Sequence, residues 1–365
     1  MHTYARRLFK DHVMAEPKYQ KRVTSVEIAD FLGISQATVS RALAGNRRIS
    51  QKVRDQVQET ARSMGYVSSA VARTLARGRS GVVGILSGGL HIERTASEII
   101  ALDAALRNHG FRPYISYTRS EPDRILEGAR HLVEQGVDGL MVIGVSPGTA
   151  EEGKYQKLTQ LLPAVFVDSP LAGHGINLVA HDYLTAYREA AQTLLERGCR
   201  HVYGLWEYNV PSDISASYDS RYKGFQALLS HFGNPHELFY AMPSITPPVL
   251  HDTRTASAEF RDRLCRFFER HPQCDALICH SDQLAISAMT YLMHKKREVP
   301  ERIALLGFDN NLLGERIEPA LSTIAQQPNK LAEAAVKRLL ELIAEPENEP
   351  KTIYVPGIFI RRETL

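Results

Sequence analysis

The residues with the clearest chemical potential lie near the amino terminus, in the segment SQATVSR at residues 35–41. An arginine can donate two parallel hydrogen bonds to O6 and N7 of guanine, and smaller polar side chains hydrogen-bond to bases and phosphates. The polar side of this segment is formed by Gln36, Thr38, Ser40 and Arg41. Its apolar side, at helical spacing, is formed by Ala37, Val39, Ala42 and Leu43. We therefore expect a short helix that packs on one side and presents hydrogen-bonding groups on the other.

The flanking residues predict the elements that hold this helix. Thr24 and Glu27 have the spacing of a capping box, which predicts a first helix over 25–32, and Gly33 ends it. Ser35 is a candidate cap for the second helix, and Ser50 opens a third that ends at Gly65. Two short helices around a glycine-containing turn are typical of a helix-turn-helix, whose second helix enters the major groove of DNA.

A helical bundle with no nucleic-acid role has the same pattern of helices, but the charge distribution argues against it. Residues 1–80 contain 15 Lys and Arg against 6 Asp and Glu, a formal charge of +9. The remaining residues contain 29 against 35, a charge of −6. A basic head on an acidic body is expected of a phosphate-binding module joined to a domain that does not contact the polymer.

After Ser80 the pattern changes to short apolar runs that alternate with helical stretches. The runs are VVGIL, YISY, GLMVI, AVFV, HVYGLW, ALIC and IALLGF, and the helical stretches include 96–108, 183–197 and 281–296. Strand and helix alternation over this length predicts a parallel α/β body large enough for two cores.

The head, the dipeptide Gly65-Tyr66 and the segment SSAVARTL at 68–75 resemble the LacI/GalR family of bacterial transcription regulators. The resemblance continues in VDGLMVIG, SRYKGFQALL, ICHSDQLAISAM and IALLGFDNNLLGERIEPALSTIAQQP, and it covers nearly everything after residue 20. It implies a three-helix DNA-binding head, a hinge, and a periplasmic-binding-protein-like body of two doubly wound parallel-sheet subdomains joined by three crossings. We expect an N-terminal extension at 1–20, the head at 21–67, the hinge at 68–80 and an effector-binding and dimerisation domain at 81–365. The first subdomain would comprise 81–197 and 325–345, and the second 198–324 and 346–365.

The resemblance also implies DNA-contacting positions. Base edges would be contacted by Gln36, Ala37 and Arg41, and phosphates by Ser35, Thr38, Ser40 and Arg48. Ala37 departs from polar residues of relatives and cannot hydrogen-bond to a base edge, although its methyl can contact thymine. In the family the hinge folds on the operator and inserts a leucine into the minor groove, a role carried over to Leu75 with Ala72 beside it. The alternatives are a solvated helix face and an ordinary linker.

An effector site is implied between the subdomains, at the carboxyl ends of the strands. Arg221, Asp282 and Asp309 match effector-binding positions, and their side chains suit a polyhydroxylated ligand such as a sugar. Trp206 can stack on a sugar face or pack in the core, and Asp282 can instead cap a helix. The segment SGGLHIERTASEI stands where relatives have their usual loop after the first strand. His91 and Arg94 in this segment are therefore candidate effector contacts. Arg94 beside Arg221 would favour an acidic sugar.

Two other classes of function compete with regulation. GVSPG at 144–148 fits the serine hydrolase motif G-x-S-x-G, but Pro147 lacks the backbone N–H that an oxyanion hole needs. A periplasmic sugar-binding protein would need an export signal and no basic head. The four cysteines, Cys199, Cys265, Cys274 and Cys279, lack metal-ligand spacing, so we expect buried thiols and neither metal nor cofactor.

The partners expected are a pseudo-palindromic double-stranded operator, a small sugar or sugar-acid effector and a second copy of the chain, because paired heads read a two-fold site. No apolar run reaches the ~18 residues of a membrane span, so a cytoplasmic regulator is expected. Repression is the expected action, and the sequence leaves open whether the effector releases the operator or promotes its binding. It also leaves open whether residues 1–20 form a basic arm or whether Met14 is the true start.

Overall fold

The computed structural model describes residues 23–46, 48–66, 79–88, 93–118, 122–144, 152–169, 175–207, 220–242 and 253–365. The chain divides into two compact units, Met1–Ser80 and Gly81–Leu365. Among the described helices, none combines the length and apolar character needed to cross a membrane.

Three helices form the described part of the amino-terminal unit: α1 (Ser25–Leu32), α2 (Gln36–Leu43) and α3 (Gln51–Ser63). The capping box predicted at the start of α1 is present, since the Thr24 hydroxyl accepts from the Glu27 N–H and the Glu27 carboxylate accepts from the Thr24 N–H. Gly33 ends α1 in the left-handed conformation. Ser35 and Ser50 cap α2 and α3, so the predicted three-helix head is confirmed.

One small core joins the three helices. Ile28, Val39, Ala42 and Val57 are fully buried, and each helix contributes at least one of them. Ala37 lies outside this core and is exposed, which corrects our placement of Ala37 on the apolar face of α2. The inward face of α2 is therefore narrower than the sequence pattern indicated, and its early residues are left accessible.

The first half of the body is a parallel six-stranded sheet between two helical layers. Its strands are β1 (Val82–Ser87), β2 (Arg112–Tyr117), β3 (Gly139–Ile143), β4 (Ala164–Val167), β5 (Leu178–Asp182) and β11 (Thr352–Pro356), in the spatial order β11-β5-β4-β3-β1-β2. Val83 of β1 lies opposite Gly139 of β3. Helices α4 (Glu93–Asn108) and α13 (Pro328–Ala344) supply one apolar layer, and α5 (Pro122–Glu134) and α6 (Glu152–Thr159) the other.

The second half repeats this arrangement. Its strands are β6 (Val202–Glu207), β7 (Phe239–Met242), β8 (Ala276–Cys279), β9 (Ala304–Asp309), β10 (Ser322–Ala325) and β12 (Ile358–Ile360), in the order β12-β10-β9-β8-β6-β7. One layer contains α10 (Thr253–Arg270) and α11 (Asp282–His294), and the other α7 (Leu184–Arg197) and α8 (Ser220–Leu229). The short helices α9 (Pro235–Leu238) and α12 (Leu312–Arg316) follow α8 and β9.

Two parallel-sheet subdomains were expected, and the structure confirms them with one exception. The last strand, β12, runs antiparallel to β10. Strands β5, β7, β10, β11 and β12 were also missing from the apolar runs noted in the sequence.

The chain crosses between the sheets three times: after β5, after β10 and at Gly357 between β11 and β12. These positions correct two of our boundaries. Helix α7 packs in the core of the second sheet, so the first crossing lies near Tyr183 and not near residue 197. Strand β11 pairs with β5 of the first sheet, so the third crossing lies at Gly357 and not at residue 346.

Candidate nucleic-acid interface and effector site

The face of α2 that is turned away from the head core contains Gln36, Ala37, Ser40 and Arg41, all of them exposed. Helix α2 begins at Gln36 because the Ser35 hydroxyl accepts from the Thr38 N–H, and this leaves the first turn of the helix open to solvent. Six of the seven head residues expected to contact DNA thus lie together in 35–41, at the cap and within the first turn and a half of α2.

Arg41 extends from this face without a structural partner. Within the part of the chain that the structure describes, no hydrogen bond or ion pair engages its guanidinium. A long cationic side chain left unpaired on an exposed helix face contributes little to folding, whereas its five donors suit a planar acceptor pair such as guanine O6 and N7.

The Gln36 side chain is oriented by α1. Its amide nitrogen lies 3.2 Å from the Ser25 hydroxyl oxygen, to which it donates. With the amide in this orientation, the carbonyl oxygen of Gln36 is the group available to accept from a base. Ser25 was not among the residues that we selected from the sequence.

Two of the expected phosphate contacts bond to each other, since the Ser35 and Thr38 hydroxyl oxygens lie 2.8 Å apart. Arg48 is exposed in the loop between α2 and α3, where its backbone N–H donates to the Asn46 side chain at 2.9 Å. Arg54, which the sequence reasoning missed, donates to the backbone carbonyls of Asn46 and Ile49 and so fixes this loop from α3. The sequence feature that could have identified Arg54 is its position one turn into α3, close to the loop that precedes this helix.

Several sequence predictions fall outside the described residues. These are the hinge residues Ala72 and Leu75, the candidate effector contact His91, the N-terminal extension and the G-x-S-x-G residues Ser146 and Pro147. Arg94 lies in the first turn of α4, and only its helical backbone is described.

The remaining candidates lie at the carboxyl end of the second sheet. Trp206 is the penultimate residue of β6, and Asp309 is the last residue of β9. The two sheets approach each other at this end, because His181 at the end of β5 bonds to Gln327 just after β10. A small-molecule site between subdomains is expected at such a meeting of strand ends.

Arg221 occupies the centre of this group. Its guanidinium carbon lies 4.6 Å from the ring centroid of Phe308 and 5.7 Å from that of Trp206, and one terminal nitrogen donates to the His280 carbonyl oxygen at 3.3 Å. Contact with the aromatic rings and the bond to the His280 carbonyl hold the guanidinium plane in place, and Arg221 is half-buried. The structure therefore places Arg221 beside Trp206, two residues that the sequence analysis proposed separately for the effector site.

Trp206 is half-buried in an aromatic cluster. Its ring centroid lies 5.1 Å from that of Phe225, 5.5 Å from that of Tyr222 and 4.6 Å from that of His280. These contacts favour the packing role that we held open for Trp206. His280 was missed by the sequence reasoning, although its place directly after a buried strand is the signal by which Asp309 was found.

Asp309 lies in an unusual backbone segment. Its φ is 109° and that of Asn310 is 58°, values that non-glycine residues rarely adopt. The Asp309 carboxylate accepts from the Gln326 side chain at 2.9 Å, and the Asn310 side-chain oxygen accepts from Arg362 at 2.7 Å. Both Asp309 and Gln326 are half-buried, so this turn is held firmly and remains accessible.

Asp282 differs from the expectation that it binds an effector. It is 1% exposed, and its carboxylate accepts from the Thr323 hydroxyl at 2.6 Å and from the Asn311 N–H at 2.7 Å. It does not cap α11 either, because Ser281 is the capping residue. Burial raises the pKa of Asp282 to about 7, against the two hydrogen bonds that lower it. Asp282 therefore supports the Asp309 turn from behind.

The cysteines follow the sequence expectation in part. Cys199, Cys274 and Cys279 are buried thiols, whereas Cys265 is half-exposed. Burial raises the pKa of Cys199 to about 11, which keeps this thiol protonated at neutral pH. A search of the described residues finds no group of three metal-ligating side chains.

Two known family models match the chain, one in each of its two units. Residues 26–69 match the model of bacterial regulatory proteins of the lacI family, and residues 191–365 match the periplasmic binding protein-like domain. The chain belongs to the LacI family of bacterial regulatory proteins. This LacI-family protein is a DNA-binding transcriptional regulator, and α2 is the second helix of its helix-turn-helix.

Full-length relatives of this LacI-family protein are regulators. The HTH-type transcriptional regulator GntR of Pseudomonas aeruginosa is 28% identical over 336 residues, which cover 89% of this chain and 91% of that protein. The HTH-type transcriptional regulator CelR of Thermobifida fusca is 24% identical, with 94% and 99% covered. The ribose operon repressor of Haemophilus influenzae is 22% identical, with 94% and 98% covered.

Solved structures share the fold of this LacI-family protein. The lac repressor dimer bound to operator and an anti-inducer superposes with a TM-score of 0.77 at 20% identity, covering 94% of this chain and 99% of that one. A complex of the transcriptional regulator CelR with cellobiose gives a TM-score of 0.63 at 21% identity, covering 94% and 100%.

Proposed function

We propose that this regulator is an operator-binding repressor that acts as a homodimer and responds to a small polyhydroxylated effector, a sugar or sugar acid. The observation that carries the proposal is the exposed face of α2, where Arg41 extends without a structural partner among the described residues. An arginine without a partner among the described residues, on the exposed face of a helix-turn-helix recognition helix, is suited to contact base edges.

Within this proposal the α2 residues have separate tasks. Arg41 and Gln36 contact base edges, and Ala37 lies against a thymine methyl. Ser35, Thr38, Ser40 and Arg48 contact phosphates and fix the register of the head on DNA. Ala72 and Leu75 form the minor-groove part of the hinge, as in the family.

The effector binds at the carboxyl end of the second sheet. Arg221 supplies a guanidinium held on aromatic rings, and Asp309 supplies a carboxylate on a fixed turn. A site that offers both donor and acceptor groups suits the hydroxyl groups of a sugar. His280 and Gln326 are further contacts that we add to the set, and His91 and Arg94 would contribute from the first subdomain.

Dimerisation is supported by exposed apolar side chains on the body. Tyr114, Ile115 and Tyr117 are between 45% and 46% exposed on β2, which is an edge strand. Leu312 and Leu313 are each 57% exposed on α12. Areas of this kind on a soluble domain indicate a protein interface, and a dimer presents two heads to the two halves of a pseudo-palindrome.

We further propose that the protein acts in the cytoplasm, where its DNA target lies, and that it has no enzymatic activity. The named relatives are transcriptional regulators, and the regulatory proposal requires no catalytic group.

The test is operator binding at fixed salt. Pseudo-palindromic duplexes would be selected from a random pool by the wild-type protein, and affinities would then be measured for wild type, Arg41→Ala and Arg62→Ala. Arg62 is an exposed arginine of the same head at the end of α3, so Arg62→Ala controls for the loss of one positive charge. We expect sequence-selective binding that Arg41→Ala abolishes and Arg62→Ala retains. Equal affinity of wild type for selected and random duplexes would refute the proposal.

The same duplexes, titrated with a library of neutral sugars and sugar acids, test the effector. A ligand that changes the operator affinity of wild type, and not that of Arg221→Ala, would support the assignment of this site.

A further inference from the structure

The three crossings between the subdomains are joined by a closed set of hydrogen bonds. The Gln327 N–H of the second crossing donates to Nε2 of His181, at 3.0 Å. The Gln327 side chain donates to the Pro356 carbonyl oxygen of the third crossing, at 2.6 Å. The Gly357 N–H then donates to the Asp182 carbonyl oxygen of the first crossing, at 2.8 Å. A subdomain movement that separates any two crossings must break at least one of these bonds.

We propose that His181 is the clamp of this hinge: its imidazole holds the three crossings in register and transmits the state of the effector site to the relative position of the subdomains. The clamp itself is a property of the body alone, and its role in transmission rests on the function proposed above.

His181 is fixed on every side. Its side chain is fully buried, and its backbone N–H donates to Oδ1 of Asp168 at 3.0 Å. Its ring atom Nδ1 lies 3.2 Å from the same carboxylate oxygen, without the alignment of a hydrogen bond. Asp168 has a φ of 46°, so the end of β4 is bent to bring its carboxylate beneath the ring.

The contacts also fix the tautomer. Because Nε2 accepts the Gln327 N–H, a neutral ring must have its proton on Nδ1, which is the nitrogen next to the Asp168 carboxylate. A side chain without an acceptor at the Nε2 position would leave the Gln327 N–H without its partner in a partly buried place, a loss that would weaken the second crossing.

A continuous series of ring contacts joins the clamp to the effector site. The His181 ring stacks on Tyr183, with centroids 5.3 Å apart and an interplanar angle of 22°. Tyr183 meets Phe308 edge to face at 4.8 Å, and the Arg221 guanidinium lies over the other side of this cluster, 4.6 Å from the Phe308 centroid. A ligand that moves Arg221 must therefore disturb Phe308 and the rings that pack on the hinge.

The third crossing is packed equally tightly. A Cβ atom at residue 357 would lie 2.3 Å from a ring carbon of Tyr183, so only glycine fits against this ring. Packed elements of this kind switch between discrete arrangements and do not deform gradually. This is the physical requirement for a two-state hinge.

The first experiment needs no ligand. Amide hydrogen exchange of the full-length protein would be measured by mass spectrometry for wild type, His181→Met and His181→Gln. Glutamine retains an amide acceptor near the Nε2 position, whereas methionine of similar size has only a weakly accepting thioether. We expect exchange at all three crossings, 181–184, 326–328 and 356–358, to rise together by about tenfold or more in His181→Met and by much less in His181→Gln. Faster exchange confined to β5, or no change, would overturn the clamp.

Gln327→Ala is a second variant for the case in which His181→Met does not fold. Gln327 is only half-buried, and the substitution removes the bond to Pro356 while it leaves the bond to His181. Coupled exchange at the second and third crossings, with the first unchanged, is then expected. Unchanged exchange at both crossings would show that the bond to Pro356 does not join them, and would overturn the closed set of bonds on which the clamp depends.

The second experiment tests transmission. Operator affinity would be measured with and without a sugar that shifts wild type, and binding of that sugar would be measured separately by calorimetry. We expect His181→Met to bind operator and sugar within about threefold of wild type and to lose most of the change in operator affinity, with His181→Gln restoring it. An unaltered response in His181→Met would overturn transmission. If wild type itself responds to no sugar, the proposed effector class fails, while the exchange data still decide the clamp.

Discussion

The carboxylate of Asp282 accepts a hydrogen bond from the Thr323 hydroxyl at 2.6 Å, and this pair braces the turn that presents Asp309. Gly307 makes room for the contact, because a Cβ at residue 307 would lie 2.1 Å from Oδ1 of Asp282. The Thr323 hydroxyl in turn accepts from the Asn310 N–H at 3.3 Å. Asp282, which the sequence motif placed in the ligand site, thus supports the turn that contains Asp309.

The raised pKa of Asp282 makes a prediction about stability. Its pKa is about 7 in the folded protein against 3.8 ordinarily, so between about pH 4 and 7 the unfolded chain releases a proton that the folded chain keeps. The contribution of Asp282 to the free energy of unfolding therefore falls as pH rises through this window and is constant above it. The whole effect is on the order of 4 kcal/mol at most.

Asp282→Asn would remove this dependence. We expect the stability of the variant relative to wild type, measured by urea unfolding, to be greater at pH 8 than at pH 5 by a few kcal/mol. Groups that titrate elsewhere cancel in this difference. A difference between the two proteins that is equal at both pH values would contradict the assigned burial of the charge.

Alanine substitutions of Arg41 and of Arg48 are expected to weaken DNA binding in different ways. Arg41→Ala should cost about 1–3 kcal/mol on a selected operator and lose selectivity at one base pair. Arg48→Ala should weaken all duplexes alike and reduce the slope of log K against log salt by about one unit. Both quantities come from fluorescence anisotropy at four salt concentrations. Loss of selectivity in Arg48→Ala, or an equal loss of affinity for all duplexes in Arg41→Ala, would contradict the assignment of Arg41 to a base and Arg48 to a phosphate.

The hydrogen bond between Gln36 and Ser25 predicts a base preference at the operator position that Gln36 contacts. Because the Gln36 amide nitrogen donates to Ser25, its carbonyl oxygen faces outward and should favour adenine N6 or cytosine N4, which are donors in the major groove. Ser25→Ala should relax this preference by about two- to fivefold, the value of one hydrogen bond. Operator selection and sequencing would measure it, with Val26→Ala, a neighbouring exposed residue of α1, as the control.

Arg221→Lys is expected to abolish the effector response and leave operator binding intact. A lysine ammonium cannot stack on Phe308 or donate in a fork, so the ligand loses its oriented partner. Thermal shift with the sugar library should show stabilisation of wild type and of the control Lys223→Ala only. A response of Arg221→Lys equal to that of wild type would move the effector site elsewhere.

Introducing charge on α12 should dissociate the dimer. Leu312→Glu with Leu313→Glu places two carboxylates on an exposed apolar surface, and we expect a monomer in sedimentation velocity with operator affinity reduced by at least tenfold. Leu161→Glu, a substitution at another leucine that is 41% exposed, is the control and should remain dimeric. A dimer in both variants would exclude α12 from the interface.

Local rules made much of the fold readable in advance. The three helices of the head begin at residues whose side chains cap them, Thr24, Ser35 and Ser50, and capping depends on neighbours within four residues. The buried strands were visible where both faces are covered, as in Gly139–Ile143, because such strands are continuous apolar runs.

Other features depend on contacts between distant residues. The boundary of the first subdomain was misplaced because α7 is an ordinary helix in sequence, and only its packing against α8 assigns it to the second sheet. Asp282 could not be distinguished from Asp309 as a ligand, since both follow buried strands, and the burial that separates them comes from Thr323 and Asn311.

The sequence by itself determined the family, the helix-turn-helix and the residue types at the two sites. Periodicity, capping and motif spacing depend on residues close together in the chain, so they can be recognised without the tertiary structure. Only the tertiary structure decided which of those residues are accessible. It exposed Ala37, buried Asp282 and joined His181 to Gln327 across 146 residues, since burial and long-range hydrogen bonds exist only once the chain has closed on itself.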